Sequence, residues 1–248
     1  MHTQDFGASY TNYFDLLRAD TPELLDEAYR LRYQVYCVEH AFENPAEHSN
    51  ERETDVDDDR SVHTLLVHRR TGMYAGTVRV ILPSYHDPHR ILPIQQILAS
   101  QPRGFAECFP RPTTAEISRF LVSKEFRRRV GEELHADVGS LGKAVAIPGE
   151  RRVAPYITFG LMRGVLEICA EYGVTHICAV MEPALIRILR RFGLDFEGIG
   201  DLVNHHELRQ PCVARPKDLV ERNRVDETLL WQYAATALQS PDCAAIAV

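Results

Sequence analysis

The sequence predicts an α/β protein with a mixed central sheet, on three observations. Apolar residues recur at helical spacing from Thr21 to about Cys37 and from Pro155 to Tyr172. Two alternating runs, HTLLVHR and YAGTVRVIL, flank a turn at Thr71-Gly72 and read as a hairpin. A strand at about 115–122, the helix at 155–172 and the apolar run THICAVM then follow one another, an order that sets two strands parallel.

The elements follow in chain order. Residues 1–20 form an arm whose Phe6, Tyr10, Tyr13 and Phe14 are expected to pack on the body. The body spans 21–225, and a tail at 226–248 carries one more amphipathic helix with Leu229, Leu230, Tyr233 and Leu238. Thr21 is a helix N-cap, with Pro22 at the first helical position and Glu23 in the first turn. Leu24, Ala28, Leu31 and Val35 make the apolar stripe, which fades near Cys37. Residues 41–60 are a long charged loop ending in ERETDVDDDR; loops of this length are often functional. Residues 83–112 hold six of the 14 prolines and read as irregular, with a short helix around Ile94 to Leu98. Residues 130–153 are an excursion, and Gly173 stops the helix that follows. Pro183 opens a short helix, and LDFEGIG and the segment near PCVAR supply final strands.

Composition narrows the function. The chain has 248 residues, 45% of them hydrophobic and 25% charged, as in a soluble globular protein. The net charge of −7 argues against general nucleic-acid binding. No run approaches the ~18 apolar residues of a membrane span, and the N-terminus has neither the basic nor the apolar part of a secretory signal. The six cysteines include no CxxC pair, so reduced thiols in a cytoplasmic protein are expected.

Several charges do not fit a plain sheet. Arg79 stands mid-strand in YAGTVRVIL; on its own it would be an edge-strand arginine reaching for water. Glu116 and Arg119 share the strand TTAEISRF three residues apart, so strict alternation sends them to opposite faces. Either each meets its own partner, or a β-bulge re-aims one of them. Arg32 lies among apolar helix residues and also needs a partner. The run Glu53, Asp55, Asp57, Asp58, Asp59 is a solvated turn, a poor calcium loop, or the set of carboxylates that pairs with these arginines. Arg119, Lys124 and Arg127 to Arg129, with Arg187, Arg190 and Arg191 later, are solvated faces or a dock for an anion. His205-His206 lacks a third ligand at useful spacing, so no metal is expected.

Taken in order, RYQVY, ExDxxD, VRVILP and EISRF resemble the motifs of the acyl-homoserine-lactone autoinducer synthases, acyltransferases of the GNAT fold. They match at Arg32 and Tyr36, at Glu53, Asp55 and Asp58, at Arg79, and at Glu116 and Arg119. The later stretch MEPALIRILRRFGLDFEGIG, with HHELRQP, resembles the acyltransferases of PEP-CTERM/exosortase systems, which are similar to long-chain N-acyl amino acid synthases. The resemblance covers roughly residues 20–215. The autoinducer synthases carry a tryptophan shortly after the first motif, whereas residues 39–45 have none and the only tryptophan is Trp231. That departure favours a different amine acceptor. The excursion at 130–153 also departs from a compact GNAT phosphate loop.

The resemblance implies a GNAT-like sheet, splayed between the strands at 115–122 and 175–181, with an acyl-pantetheine arm in the gap. It implies acyl transfer from an acyl carrier protein thioester to an amino acid, with no metal or redox cofactor. Glu116 is the first candidate for the base and Glu53 the second. Arg79 and Arg119 would position carboxylates, those of the acceptor or of the acidic loop. A backbone N–H between Phe120 and Val122 would meet the oxyanion. Lys124, Arg127, Arg128 and Arg129 would dock the carrier protein or its phosphopantetheine. An acyl-homoserine-lactone synthase, an acetyltransferase and a non-catalytic acyl- or carrier-binding module are the alternatives.

Overall fold

A computed structural model describes residues 13–84, 87, 89–99, 109–127, 154–205 and 207–223. Its elements, in chain order, begin with β1 (Phe14–Arg18), α1 (Pro22–Tyr33), β2 (Ser61–His68), β3 (Tyr74–Ile81), α2 (Pro93–Ala99) and β4 (Thr114–Val122). The one-turn α3 (Lys124–Arg127), α4 (Ala154–Glu171), β5 (His176–Met181) and α5 (Pro183–Arg191) follow. Last come β6 (Glu197–Gly198), β7 (Val203–His205), β8 (Glu207–Ala214) and α6 (Pro216–Asn223). The strands lie in the order β1-β2-β3-β4-β5-β8-β6, with β7 paired to β8. Among the described residues every pairing is antiparallel except β4 with β5.

Local signals account for the elements. The Thr21 hydroxyl accepts the Leu24 N–H at 3.3 Å and Pro22 opens α1, as the sequence predicts. The predicted fade near Cys37 has a specific form. From Gln34 to Glu39 the helix widens into a π turn, and the His40 N–H reaches back five residues to the Val35 carbonyl at 3.1 Å. Gly173, at φ +62°, ends α4 in the left-handed region. The four described cysteines, Cys37, Cys169, Cys178 and Cys212, are buried thiols.

The sheet's two faces differ. α4 covers one of them, where Leu66, Val78, Val80, Ala115 and Ile117 join Ile157, Leu161 and Val165 in the largest core. On the opposite face α1 packs Ala28 and Leu31 against Leu65 and Leu121. α2 packs Ile94 and Leu98 against Ile81, Cys178 and Val213. The charged site lies on this second face, between the two helices.

Two strand expectations change. β3 is an interior strand, between β2 and β4, so Arg79 is no edge residue snorkelling to water. Part of the expected arm is sheet: Phe14–Arg18 pairs along β2, and Phe14 is buried. The sequence names neither β7 nor this edge strand, because each is short and weakly patterned. The excursion at 130–153 and the C-terminal helix at 226–240 lie outside the described residues.

β4 and β5 pair from Thr114↔His176 to Ile117↔Ala179. Beyond that point the two strands run on without pairing to each other, β4 to Val122 and β5 to Met181. The expected splay therefore opens after Ile117, one residue beyond Glu116.

Candidate active site

A β-bulge resolves the parity problem in TTAEISRF. Thr77 of β3 faces Leu121 and Arg79 faces Ser118, so Arg119 and Phe120 together stand opposite Val78. Arg119 takes φ +48°, uncommon for a residue with a side chain. The extra residue turns the Arg119 guanidinium onto the face that carries Arg79.

There the arginines meet the acidic loop. The Glu53 N–H donates to the Tyr29 carbonyl of α1 at 3.2 Å. Asp55 and Asp58 cap their own turns: the Asp55 N–H donates to Asp58 Oδ2 at 2.8 Å and the Asp57 N–H to Asp55 Oδ1 at 2.9 Å. These bonds aim Glu53, Asp55 and Asp58 inward, while Asp57 and Asp59 pair with Arg60 and Arg90 toward the rim.

Arg32 donates from Nε to Glu53 at 2.6 Å and grips both oxygens of Asp58 at 2.7 and 3.1 Å. Arg79 donates from Nη1 to Asp55 at 2.5 Å and to Asp58 at 2.8 Å, and from Nε to the Ser118 hydroxyl at 2.8 Å. Arg119 reaches Glu53 at 2.8 Å and Asp55 at 3.1 Å through Nη2. Arg32, Arg79 and Glu53 are 0%, 2% and 1% exposed. Three cations and three anions thus neutralise one another, Arg32, Arg79, Glu53 and Asp58 in the dry interior and Arg119 and Asp55 at its wetter edge, and such pairing is the condition under which buried charges persist. Tyr36, set by the π turn, places its ring 5.2 Å from the Arg119 guanidinium carbon.

The environment sorts the candidate bases. Burial alone would raise the Glu53 carboxyl, but hydrogen bonds and charges from Arg119 and Arg32 outweigh it and hold it at about 2. Burial likewise opposes ionisation of Asp58, and the close approach of His63 and Arg32 reverses that, leaving it well below the usual range. His63 Nε2 stands 3.4 Å from Asp58 but is not aligned for a hydrogen bond, and burial lowers its imidazole. Glu116 is the opposite case. It lies outside the ion-pair network and accepts the Ile94 N–H of α2 at 2.9 Å. Burial pushes its carboxyl up to about 8, only partly offset by that bond and by the charge of Arg79. Glu53, the second candidate base, is therefore a poor proton acceptor near neutrality, whereas Glu116 titrates in a useful range.

The other predicted residues fall around this centre. Phe120 and Val122 are half-buried against the main core at the splay. Lys124 is exposed at the start of α3, which Arg127 closes; Arg128 and Arg129 lie outside the described residues. Sequence reading missed Ser118 and His63 as neighbours of Arg79. Ser118 suggested a solvated strand face, yet it faces Arg79 across the ladder; His63 is the residue paired with Arg79 on the other side. Counting the strand register of the hairpin would have found His63.

The fold and the site define a GNAT-like mixed α/β protein with a buried arginine–carboxylate cluster beside a splayed parallel pair. A family described as an acetyltransferase (GNAT) domain matches residues 31–136, from the last turn of α1 past β4. No curated protein matches the chain. Among solved structures, TofI in a ternary complex with an inhibitor and MTA is similar at 17% identity and a TM-score of 0.58, over 86% of this chain and 96% of that one. BjaI, a CoA-dependent acyl-homoserine lactone synthase, with MTA, is similar at 17% identity and a TM-score of 0.56, over 90% and 99%. FeeM, an N-acyl amino acid synthase from uncultured soil microbes, is similar at 16% identity and a TM-score of 0.53, over 89% and 96%. At these identities the likeness establishes the fold. Among the described residues no helix is long and apolar enough to cross a membrane.

Proposed function

We propose that the protein is an acyltransferase that moves a long acyl chain from a carrier-protein thioester to the amino group of an amino acid. The observation that carries this reading is the placement of Glu116, with its carboxyl near 8, one residue before β4 and β5 part. A carboxylate beside a gap between parallel strands suits a reaction in which a thioester enters from one side and an amine from the other. The likeness to FeeM and BjaI, and the sequence resemblance to PEP-CTERM/exosortase-associated acyltransferases, support the same class.

In the proposed reaction, Glu116 takes a proton from the acceptor's ammonium, directly or through water, because only the neutral amine attacks. The nitrogen forms a C–N bond with the thioester carbonyl carbon. A backbone N–H between Phe120 and Val122 steadies the oxyanion, since β4 has no β5 partner beyond Ile117. The C–S bond then breaks as the nitrogen sheds its second proton, and the leaving thiolate takes that proton up. Phe120 and Val122 would border the acyl chain, and Lys124 and Arg127 to Arg129 would meet the acidic carrier protein. The cluster of Arg32, Arg79, Arg119, Glu53, Asp55 and Asp58 would act as scaffold, pinning the loop and the bulge that shape the acceptor side.

The test is product mass spectrometry. Purified protein is incubated with long-chain acyl carrier protein, the twenty amino acids and S-adenosylmethionine. An N-acyl amino acid is expected. An acyl-homoserine lactone would assign the protein to the autoinducer synthases, and a thioester that binds without turnover would make it a binding module.

A further inference from the structure

The three clustered arginines are already paired in charge. Each is matched by the inward carboxylates, and an incoming carboxylate would have to displace one of those internal partners. An amino acid needs a different cation for its α-carboxylate.

Arg209 of β8 meets the requirement from the other side of the splay. β8 pairs with β5 as Val180↔Pro211 and Cys178↔Val213, and β5 pairs with β4 as Glu116↔Cys178. Alternation therefore puts Arg209 on the sheet face of Pro211, Val213 and Glu116. Its guanidinium carbon lies 6.0 Å from the centre of the Phe42 ring, and Phe42 stands 6.3 Å from Tyr36, the ring that also carries Arg119. An aromatic bridge thus links Arg209 to the charged cluster across the mouth of the gap.

Arg209 is also under-bonded. It is 15% exposed, and its Nε is buried without a hydrogen-bond partner among the described residues. Among the described residues, the carboxylate recorded within ion-pair range is that of Glu182, 3.6 Å from Nη2, a contact too long for a hydrogen bond. A buried guanidinium N–H without an acceptor is costly, and such groups call for an explanation. Nε with one Nη forms the two-pronged donor edge that fits a carboxylate.

We propose that Arg209 docks the α-carboxylate of the acyl acceptor and so selects amino acids over simple amines. This rests on the acyl-transfer reading. It makes Arg209 a substrate-binding residue on the half of the sheet opposite Arg119.

The experiment compares the amino acid that the wild type acylates fastest with its α-carboxamide, which keeps the amine and lacks the charge. Rates are taken at equal free-amine concentration for wild type, R209K and R209Q. The wild type is expected to prefer the acid by about 10²-fold or more in kcat/KM. R209Q should lose that preference through a raised KM for the acid, and R209K should keep part of it. An R209Q variant as selective as the wild type overturns the proposal. So does a wild type that acylates the amide as readily as the acid, a result independent of how any variant folds. A wild type that acylates no amino acid overturns the acyl-transfer reading itself, and this inference with it.

Discussion

Arg79 and Arg119, on neighbouring strands, hold the two oxygens of one carboxylate: Arg79 Nη1 meets Asp55 Oδ1 at 2.5 Å and Arg119 Nη2 meets Asp55 Oδ2 at 3.1 Å. Two interior strands are thereby fastened to a loop more than twenty residues away in sequence. Strict alternation would have sent Arg119 to a different face from Ser118's neighbour Arg79, and the bulge opposite Val78 makes the shared grip possible.

Glu116 is tested by E116Q. With its carboxyl near 8, the wild-type base form grows as pH rises through about 8, and kcat should rise with it. E116Q should be slower by roughly 10²-fold or more at pH 7 and should lack that inflection. The deficit should narrow at high pH, as the acceptor amine sheds its own proton. An equal loss at every pH would assign Glu116 to structure. Stability carries a second sign. A carboxyl raised in the fold binds more protons there than in the unfolded chain, so its contribution is full below about 4.5 and is lost as pH rises through about 8. Melting of E116Q should lack this decline.

Glu53 is tested by E53Q, which leaves Arg32 and Arg119 short of a buried counter-charge. The expected loss is about 3–5 kcal/mol, or roughly 10 °C in Tm for a chain of this size. The pH sign is opposite to that of Glu116. The depressed Glu53 carboxyl stabilises the fold above about 4.5, and that contribution is lost as pH falls through about 2. Acid titration followed by circular dichroism should show a flatter response for E53Q in that window. A Tm unchanged from wild type would mean the network bears no weight.

Gly76 tests the close approach of β3 to the strand beyond the bulge. A Cβ there would stand 2.6 Å from the Leu121 carbonyl oxygen and 3.1 Å from Leu161 Cδ1. The first obstacle is backbone, so G76A must push β4 aside. The expected cost is about 1–3 kcal/mol, read by denaturant unfolding. A wild-type midpoint would show that β4 moves easily and that the register at Gly76↔Val122 is soft.

Much of the site was legible because burial makes charge conspicuous. Arg32, Arg79, Glu116 and Arg119 each interrupt an apolar pattern, and an ionised group in such a place must have a partner. The inward carboxylates could be named as a set, since they sit in one acidic run. Which of the five turned inward was not readable without the resemblance, because the choice depends on turn hydrogen bonds at Asp55 and Asp58. Arg209 left less of a trace: its neighbours in HHELRQP are polar, so nothing marked it as buried.

By itself the sequence determined the main helices and strands, the parallel β4–β5 pair and which charges need partners, because periodicity and the cost of burying charge act locally. Tertiary structure decided the rest. It made β3 interior, turned Arg119 through a bulge, spent the three arginines on internal partners and left Glu116 apart beneath α2. Those outcomes depend on register, on desolvation and on the distances between groups far apart in the chain, none of which a local pattern can encode.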